Sequence, residues 1–187
     1  MREEIVMQHD PATVKRLAGI QYKTFSAVRR AVLYAVSLIC IALGFGLIYS
    51  FDSVFRIVLL ASGCILLVNI GTSAGIKADK TLRAIEQQGG VFPRTRMVFH
   101  DSSVKITEEE SKPHTLKYKD ILRLAEDGAY FYLFITPEAA YMVPKDQLHD
   151  AAALRQALEL GSGRKFSHPG SMFSLRLRDI TGGIRKK

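Results

Sequence analysis

The sequence predicts an α+β membrane protein: a two-helix transmembrane hairpin followed by a small antiparallel β domain with a C-terminal helix. Three observations predict it. Two charge-free apolar runs, Ala31 to Phe51 and Ile57 to Ile76, hold 21 and 20 residues. At about 1.5 Å of rise per residue, each spans roughly 30 Å, the thickness of a bilayer's hydrocarbon core. After them come about six short segments rich in β-branched and aromatic residues, separated by turn-forming sequences. Last, apolar residues recur at helical spacing between Asp146 and Leu160.

Whole-chain averages hide this division. At 48% hydrophobic residues and a mean hydropathy of +0.08, the 187-residue chain has the average of an ordinary soluble domain. Its net charge of +8 is unevenly spread: six basic and three acidic residues precede Ala31, seven and one occupy 161–187, and 89–160 hold nine and eleven. The basic excess therefore flanks the apolar runs and fills the tail, while the foldable part is slightly acidic. A globular nucleic-acid binder carries its basic face on the fold itself, so no nucleic-acid partner is expected.

From the N-terminus, residues 1–30 read as a cytosolic or interfacial helix. Asp10 suits its N-cap and Pro11 its first position, and Val14, Leu17 and Ala18 alternate with basic residues. Two readings fit equally: an amphipathic helix at the membrane interface, or the cytosolic extension of the first membrane helix. Both place it at the membrane.

Residues 31–90 form the hairpin, with spans 31–51 and 57–76 and a helical extension that stops at Gly89 and Gly90. The first run is too long and too far from the start for the apolar core of a cleavable signal peptide. Lys15, Arg16, Lys23, Arg29 and Arg30 precede it, and Lys77, Lys80 and Arg83 follow the second run, so both termini are expected on the cytoplasmic side. The connecting loop at 52–56 is too short to hold a domain. Cys40 and Cys64 fall inside the apolar runs, where thiols behave as small hydrophobes, and no structural disulfide is expected.

Asn69 is the one strongly polar side chain deep in either run. In lipid, such a group is expected to face another helix, so it is placed in the helix pair. Gly71 and Gly75, spaced four apart, let helices approach closely; with Asn69 they are the expected packing residues, and a homo-oligomer through this face is the alternative use.

Residues 91–160 form the cytosolic β domain. In AYFYLFI, Tyr130, Tyr132 and Phe134 alternate with Phe131, Leu133 and Ile135, the pattern of a central strand covered on both faces. A unit of about 70 residues is near the lower limit for an independent core, which predicts that it leans on the membrane helices or on a second copy. Residues 161–187 read as a flexible basic tail. Arg164, Lys165, Arg176, Arg178, Arg185, Lys186 and Lys187 are its candidate contacts to anionic lipid or a partner, with Phe166, Met172 and Phe173 available to insert.

Catalytic patterns do not assemble. The five histidines are scattered with no ligand spacing, and no nucleophile elbow, phosphate loop or dinucleotide fingerprint is present. Glu108 to Glu110 read as a solvated hairpin end. No enzyme, cofactor or metal is expected.

A hairpin followed by a strand-rich unit that contains YKDI at 118–121, Glu126, an aromatic strand and MVPKDQL at 142–148 resembles the YcxB-like family. Tyr118, Asp120, Ile121, Glu126, Pro144 and Lys145 carry the resemblance, which runs from the N-terminal helix to about Leu160. It implies a bacterial inner-membrane protein whose cytosolic part resembles a pleckstrin-homology domain, a bent strand layer capped by a C-terminal helix. It implies no reaction. Leu148 departs from the aromatic residue often found there, and the basic tail lies beyond the pattern. In such a fold a phosphoinositide site draws Lys and Arg to the first hairpin turn, whereas this turn reads His100, Asp101, Ser102, Ser103. Tyr118 and Ile121 are expected to pack, and Lys145 to mark the turn into the helix.

The expectation is thus a non-catalytic, multi-pass membrane protein displaying an interaction domain for a protein partner or for itself. The alternatives are an anionic-lipid-binding organiser acting through the tail, and an accessory subunit of a transporter.

Overall fold

In the computed structural model, which describes residues 3–46, 53–87, 89–108 and 112–169, one four-stranded antiparallel sheet draws its strands from both sides of the hairpin. Its first strand, β1 (Glu3–Gln8), pairs along its whole length with β2 (Arg94–Phe99), Glu3 opposite Phe99 and Gln8 opposite Arg94. Alternation in EEIVMQ turns Ile5 and Met7 into the core and leaves their neighbours more exposed. The helical reading of the first residues is corrected here: the segment before Asp10 is a strand, because a strand edge is waiting for it after the hairpin.

Helix α1 (Pro11–Phe25) starts as the sequence indicates. Asp10 and Thr13 form a reciprocal capping box, Thr13 N donating to Asp10 Oδ1 at 2.6 Å and Asp10 N to Thr13 Oγ1 at 2.8 Å. The helix ends at Ser26, and α2 (Ala27–Gly46) begins immediately. It is therefore a separate helix and not a straight extension of the next one. Ala18 and Ile20 are buried, and Leu17 and Phe25 pack on the core, so its apolar side faces protein.

Helix α3 (Ser53–Gln87) runs unbroken for 35 residues, about 50 Å at 1.5 Å per residue. Ser53 to Arg56, read as loop, are its first turn. Both α2 and α3 are long and apolar enough to cross a membrane, and only 11% of the apolar stretch of each is buried within the chain. The helix stops where Gly89 and Gly90 take positive φ of 106° and 70°, and Gly90 N donates to Ile85 O at 2.9 Å.

The two long helices meet through small residues, though not those the sequence singles out. Ser37, fully buried, donates from Oγ to Gly63 O at 2.8 Å. A Cβ on Gly63 would lie 2.6 Å from Ile41 Cγ1, and one on Gly44 would lie 2.7 Å from Leu60 Cγ. Asn69, Gly71 and Gly75 are exposed, and a Cβ added at either glycine would meet nothing within 4 Å. Their placement in the helix pair is thus corrected. Small-residue spacing recurs around α3, and only the helix rotation decides which set meets α2.

The first sheet continues with β3 (Ser103–Glu108) and β4 (His114–Lys117) in the order β1-β2-β3-β4. A second sheet holds β5 (Arg123–Glu126), β6 (Tyr130–Phe134) and β7 (Ala140–Pro144) in that order. Phe131 through Phe134 are all buried, so β6 is covered on both faces. Short 3₁₀ turns at Tyr118–Asp120 and Lys145–Gln147 follow β4 and β7.

Helix α4 (Ala151–Ser162) starts later than the pattern suggests, because Asp150 is its cap: Ala153 N donates to Asp150 Oδ1 at 2.9 Å. It also passes Gly161 and ends at Gly163, whose φ is +65°. Gly161 serves packing instead, since a Cβ there would lie 2.6 Å from the Tyr118 ring. Leu154 and Leu158 are fully buried.

The chain after α4 returns to the sheet, which corrects the reading of a flexible tail from Gly161 on. Ser167 bridges Ala125, and Phe166 is buried against Phe131 at 4.9 Å between ring centroids, so it is core and not a lipid anchor. Arg176, Arg178, Arg185, Lys186 and Lys187, with Met172 and Phe173, lie outside the described residues.

Candidate functional site

Two adjacent acids at the β5–β6 turn organise the polar chemistry of the domain. Glu126 closes β5 and is only 5% exposed. Burying a carboxylate is costly unless cations and donors compensate it. Three segments supply them: Lys145 Nζ, in the turn just after β7, donates to Oε2 at 2.8 Å; Arg155 Nε, on α4, donates to Oε1 at 2.9 Å; His168 Nε2 lies 3.2 Å from Oε1. Lys145 also donates to Asp127 O at 2.6 Å and sits over the Phe131 ring, while Arg155 sits over Phe166. Glu159 Oε1 accepts from Phe166 N at 2.9 Å and holds the returning segment on α4. Glu126 thus joins β5, the turn after β7, α4 and the segment after it.

Asp127 faces the other way. Its Oδ1 accepts the N–H groups of Ala129 and Tyr130 at 2.8 and 2.9 Å, closing the turn, and its Oδ2 accepts from Tyr132 Oη at 2.7 Å and from Arg16 Nε of α1 at 2.8 Å. Burial works against ionisation here, but the bonds from Tyr132, the two turn amides and Arg16 outweigh it and hold the carboxyl below its ordinary value. Burial first, then the hydrogen bond to Asp127 and the charge of that carboxylate, push the Tyr132 phenol upward.

Arg16 opens a seam along α1. Its guanidinium also lies over Tyr130; Gln21 Nε2 donates to Pro137 O; Arg123 Nη1 donates to Thr24 O at 2.6 Å. Phe25 meets Phe134 edge-on at 5.0 Å, with Arg123 over its ring. Since α1 also packs on α3, it is a wedge held between the second sheet and the long helix. Chemically this arrangement is a clamp: both Glu126 oxygens and Asp127 Oδ2 are engaged by donors from elements far apart in the chain, while Asp127 Oδ1 closes its own turn.

The residues singled out from sequence distribute unevenly over it. Tyr118 and Ile121 are buried as packing residues, Tyr118 Oη donating to His100 O at 2.6 Å. Glu126 and Lys145, quoted only for the family pattern, are brought into contact. Arg164 and Lys165 are exposed beyond Gly163, away from the clamp's bonds. Glu109 and Glu110 lie outside the described residues, and Glu108 lies 3.4 Å from Tyr141 Oη. Arg16, Asp127 and Arg155 were missed. Their only sequence signal is a pair of acids, Glu126 and Asp127, placed between apolar strands where a turn needs only one.

Residues 99–160 match the family model described as YcxB-like protein. No curated protein and no solved structure matches the chain. The matched stretch holds β3 to β7, both acids, Lys145 and Arg155, so residues 99–160 form a YcxB-like domain.

Proposed function

We propose that the chain is a non-catalytic inner-membrane protein whose hairpin spans the bilayer and holds a pleckstrin-homology-like domain at the cytoplasmic face, where the domain binds another protein or a second copy. The carrying observation is the wedge: α1 is bonded to the second sheet through Arg16, Gln21 and Arg123 and packs on α3, so the domain is fixed to its anchor and not strung on a linker. A fixed domain presents one surface at one height above the membrane.

Supporting the membrane part, exposed apolar side chains such as Val32, Leu38, Ile39, Phe45, Ile65 and Val68 line α2 and α3, the kind of surface that marks a membrane or protein contact. The pairing of β1 with β2 returns both ends of the hairpin to one side. Lys15, Lys23, Arg29, Arg30, Lys77, Lys80 and Arg83 near that side give it the cytoplasmic bias. Supporting the fold analogy, antiparallel strand layers of four and three strands are followed by a final helix, with the hairpin between the first two strands.

The test is brief in-cell crosslinking, purification of the full chain in mild detergent and mass spectrometry of what is recovered. A stoichiometric protein partner, a transporter included, or a second copy is the expected result. Recovery of anionic lipid alone moves the function to the basic tail. A catalytic activity lost on changing one polar residue overturns the proposal.

A further inference from the structure

On α3 the positions Val58, Ser62, Ile65, Asn69, Thr72 and Ile76 follow one another at spacings of four and three, the repeat of a coiled-coil seam. All six are exposed, and they lie on the side of the helix away from Gly63, Ile70 and Ala78, which are buried. Neither α1 nor α2 covers them. The same spacing continues beyond Ile76 through Asp79, Arg83 and Glu86, also exposed.

One group on this seam lacks what lipid cannot give it. Ser62 Oγ donates to Val58 O at 2.7 Å and Thr72 Oγ1 to Val68 O at 2.9 Å, which satisfies both hydroxyls within the helix. Asn69 Oδ1 has only a long contact from Ser73 Oγ at 3.4 Å, and its amide nitrogen donates to no atom among the described residues. Asn69 lies about 4 Å from the midpoint of the 57–76 run at 1.5 Å per residue. A carboxamide at that depth needs a partner from another helix.

We infer that two copies of this chain associate in the membrane through parallel α3 helices, with Asn69 hydrogen-bonded to its counterpart at the centre of the seam. The inference rests on the membrane-spanning reading above. That reading puts the hairpin of every copy in one orientation, so two copies meet parallel. In a parallel pair, the spacing puts Asn69 in the layer where an Asn faces itself, each amide able to donate to the other's oxygen, an arrangement that favours two strands and one register. Beyond Ile76 the same layers hold Asp79, Arg83 and Glu86, each facing its own counterpart, so the apolar seam ends where the helix leaves the apolar run. Gly71 and Gly75 lie off this seam, so the contact is a side-chain zipper and not a close glycine approach.

The experiment uses the full chain in native membranes, with Cys40→Ser and Cys64→Ser as background. Oxidative crosslinking is compared for Ile65→Cys, on the seam, and Val68→Cys, off it; dimer yield for Ile65→Cys is then measured with Asn69→Leu and with Gly71→Leu. Resistance to alkaline carbonate extraction is read on every sample. Expected are a dimer at least fivefold stronger for Ile65→Cys than for Val68→Cys, a loss of about threefold or more with Asn69→Leu, and no loss with Gly71→Leu. Equal crosslinking at the two positions, an Asn69→Leu dimer as strong as the parent, or a crosslinked product of another mass overturns the inference while carbonate resistance is kept. Release by carbonate fails the membrane reading itself, and this inference with it.

Discussion

Glu126 and Asn69 are both polar groups that directly follow apolar residues, Leu124 and Ala125 in one case and Leu67 and Val68 in the other, and the chain treats them differently. Glu126 is enclosed, with Lys145, Arg155 and His168 around its two oxygens. Asn69 lies on an open helix face with one long contact from Ser73. The domain answers Glu126 and Asp127 from within the chain, whereas α2 and α3 meet along a line at Ser37, Gly44 and Gly63, α3 buries Ile70 and Ala78 as well, and many apolar side chains of both helices stay outward. A carboxamide left without a close partner among outward apolar side chains is the kind of surface that a bilayer or another helix would complete.

The contrast breaks most severely if the domain core is not the dominant store of stability. Phe134 is fully buried and meets Phe25 edge-on. Phe134→Ala should lower the unfolding free energy of the domain by about 3–5 kcal/mol, read from denaturant midpoints in detergent. A loss comparable to that of an exposed substitution would show that the second sheet does not hold α1.

Next in size, Glu126→Gln keeps shape but removes the charge that Lys145 and Arg155 face. A loss of about 3 kcal/mol is expected for breaking a buried ion pair on one side. Full stability in this variant would mean that the cations turn to solvent without cost. In the hairpin, Gly63→Leu should destabilise by about 2 kcal/mol through overpacking against Ile41 and Ser37, while Gly71→Leu should stay within about 0.5 kcal/mol. Equal effects would undo the assignment of the α2–α3 contact.

Two pH limbs sharpen the domain side. Burial, reinforced by the charge of Asp101, pushes the Tyr118 phenol up to about 12. A group whose folded value is raised contributes fully below its unfolded value, near pH 10, and the contribution disappears as pH rises toward the folded one. Alkaline unfolding should therefore steepen across that interval and flatten in Tyr118→Phe. Asp127 is depressed, so its contribution is present above about pH 4 and is lost as pH falls below that. Asp127→Asn should flatten this acid limb.

The smallest effect belongs to Arg16→Ala. Arg16 is 45% exposed, so the lost pair is screened by water and should cost about 0.5–1 kcal/mol. Its more telling readout is proteolysis in the Ser26 region, which should speed up if α1 is the wedge and stay unchanged if α1 is held only by its apolar side.

Local signals were readable in the residues and distant ones were not. Asp10 and Pro11 mark the start of α1, Gly89 and Gly90 the stop of α3, and six of the seven strands stand out as short apolar segments, most of them rich in β-branched or aromatic residues, between turn-forming sequences. The seventh, Glu3–Gln8, does not: its partner lies beyond the whole hairpin, and so short a stretch before a helix start shows no preference of its own. The candidate site was half readable. Glu126 and Lys145 stand in a recognisable family pattern, but Arg16 and Arg155 look like ordinary solvated charges until the fold brings them to the acids. Phe166 looked like a lipid anchor because its neighbours are basic, and only the return of the chain to Ala125 makes it core.

The sequence by itself determined the two apolar helices, their order before a strand-rich unit and the helix that ends it, since hydrophobic period and run length are properties of neighbouring residues. Only the tertiary structure decided that β1 closes the first sheet from the other side of the hairpin, that α1 is clamped by Asp127, and that Gly63 rather than Gly71 meets α2. Those three depend on pairings between residues far apart in the chain and on the rotation of one helix against another, which no local pattern encodes.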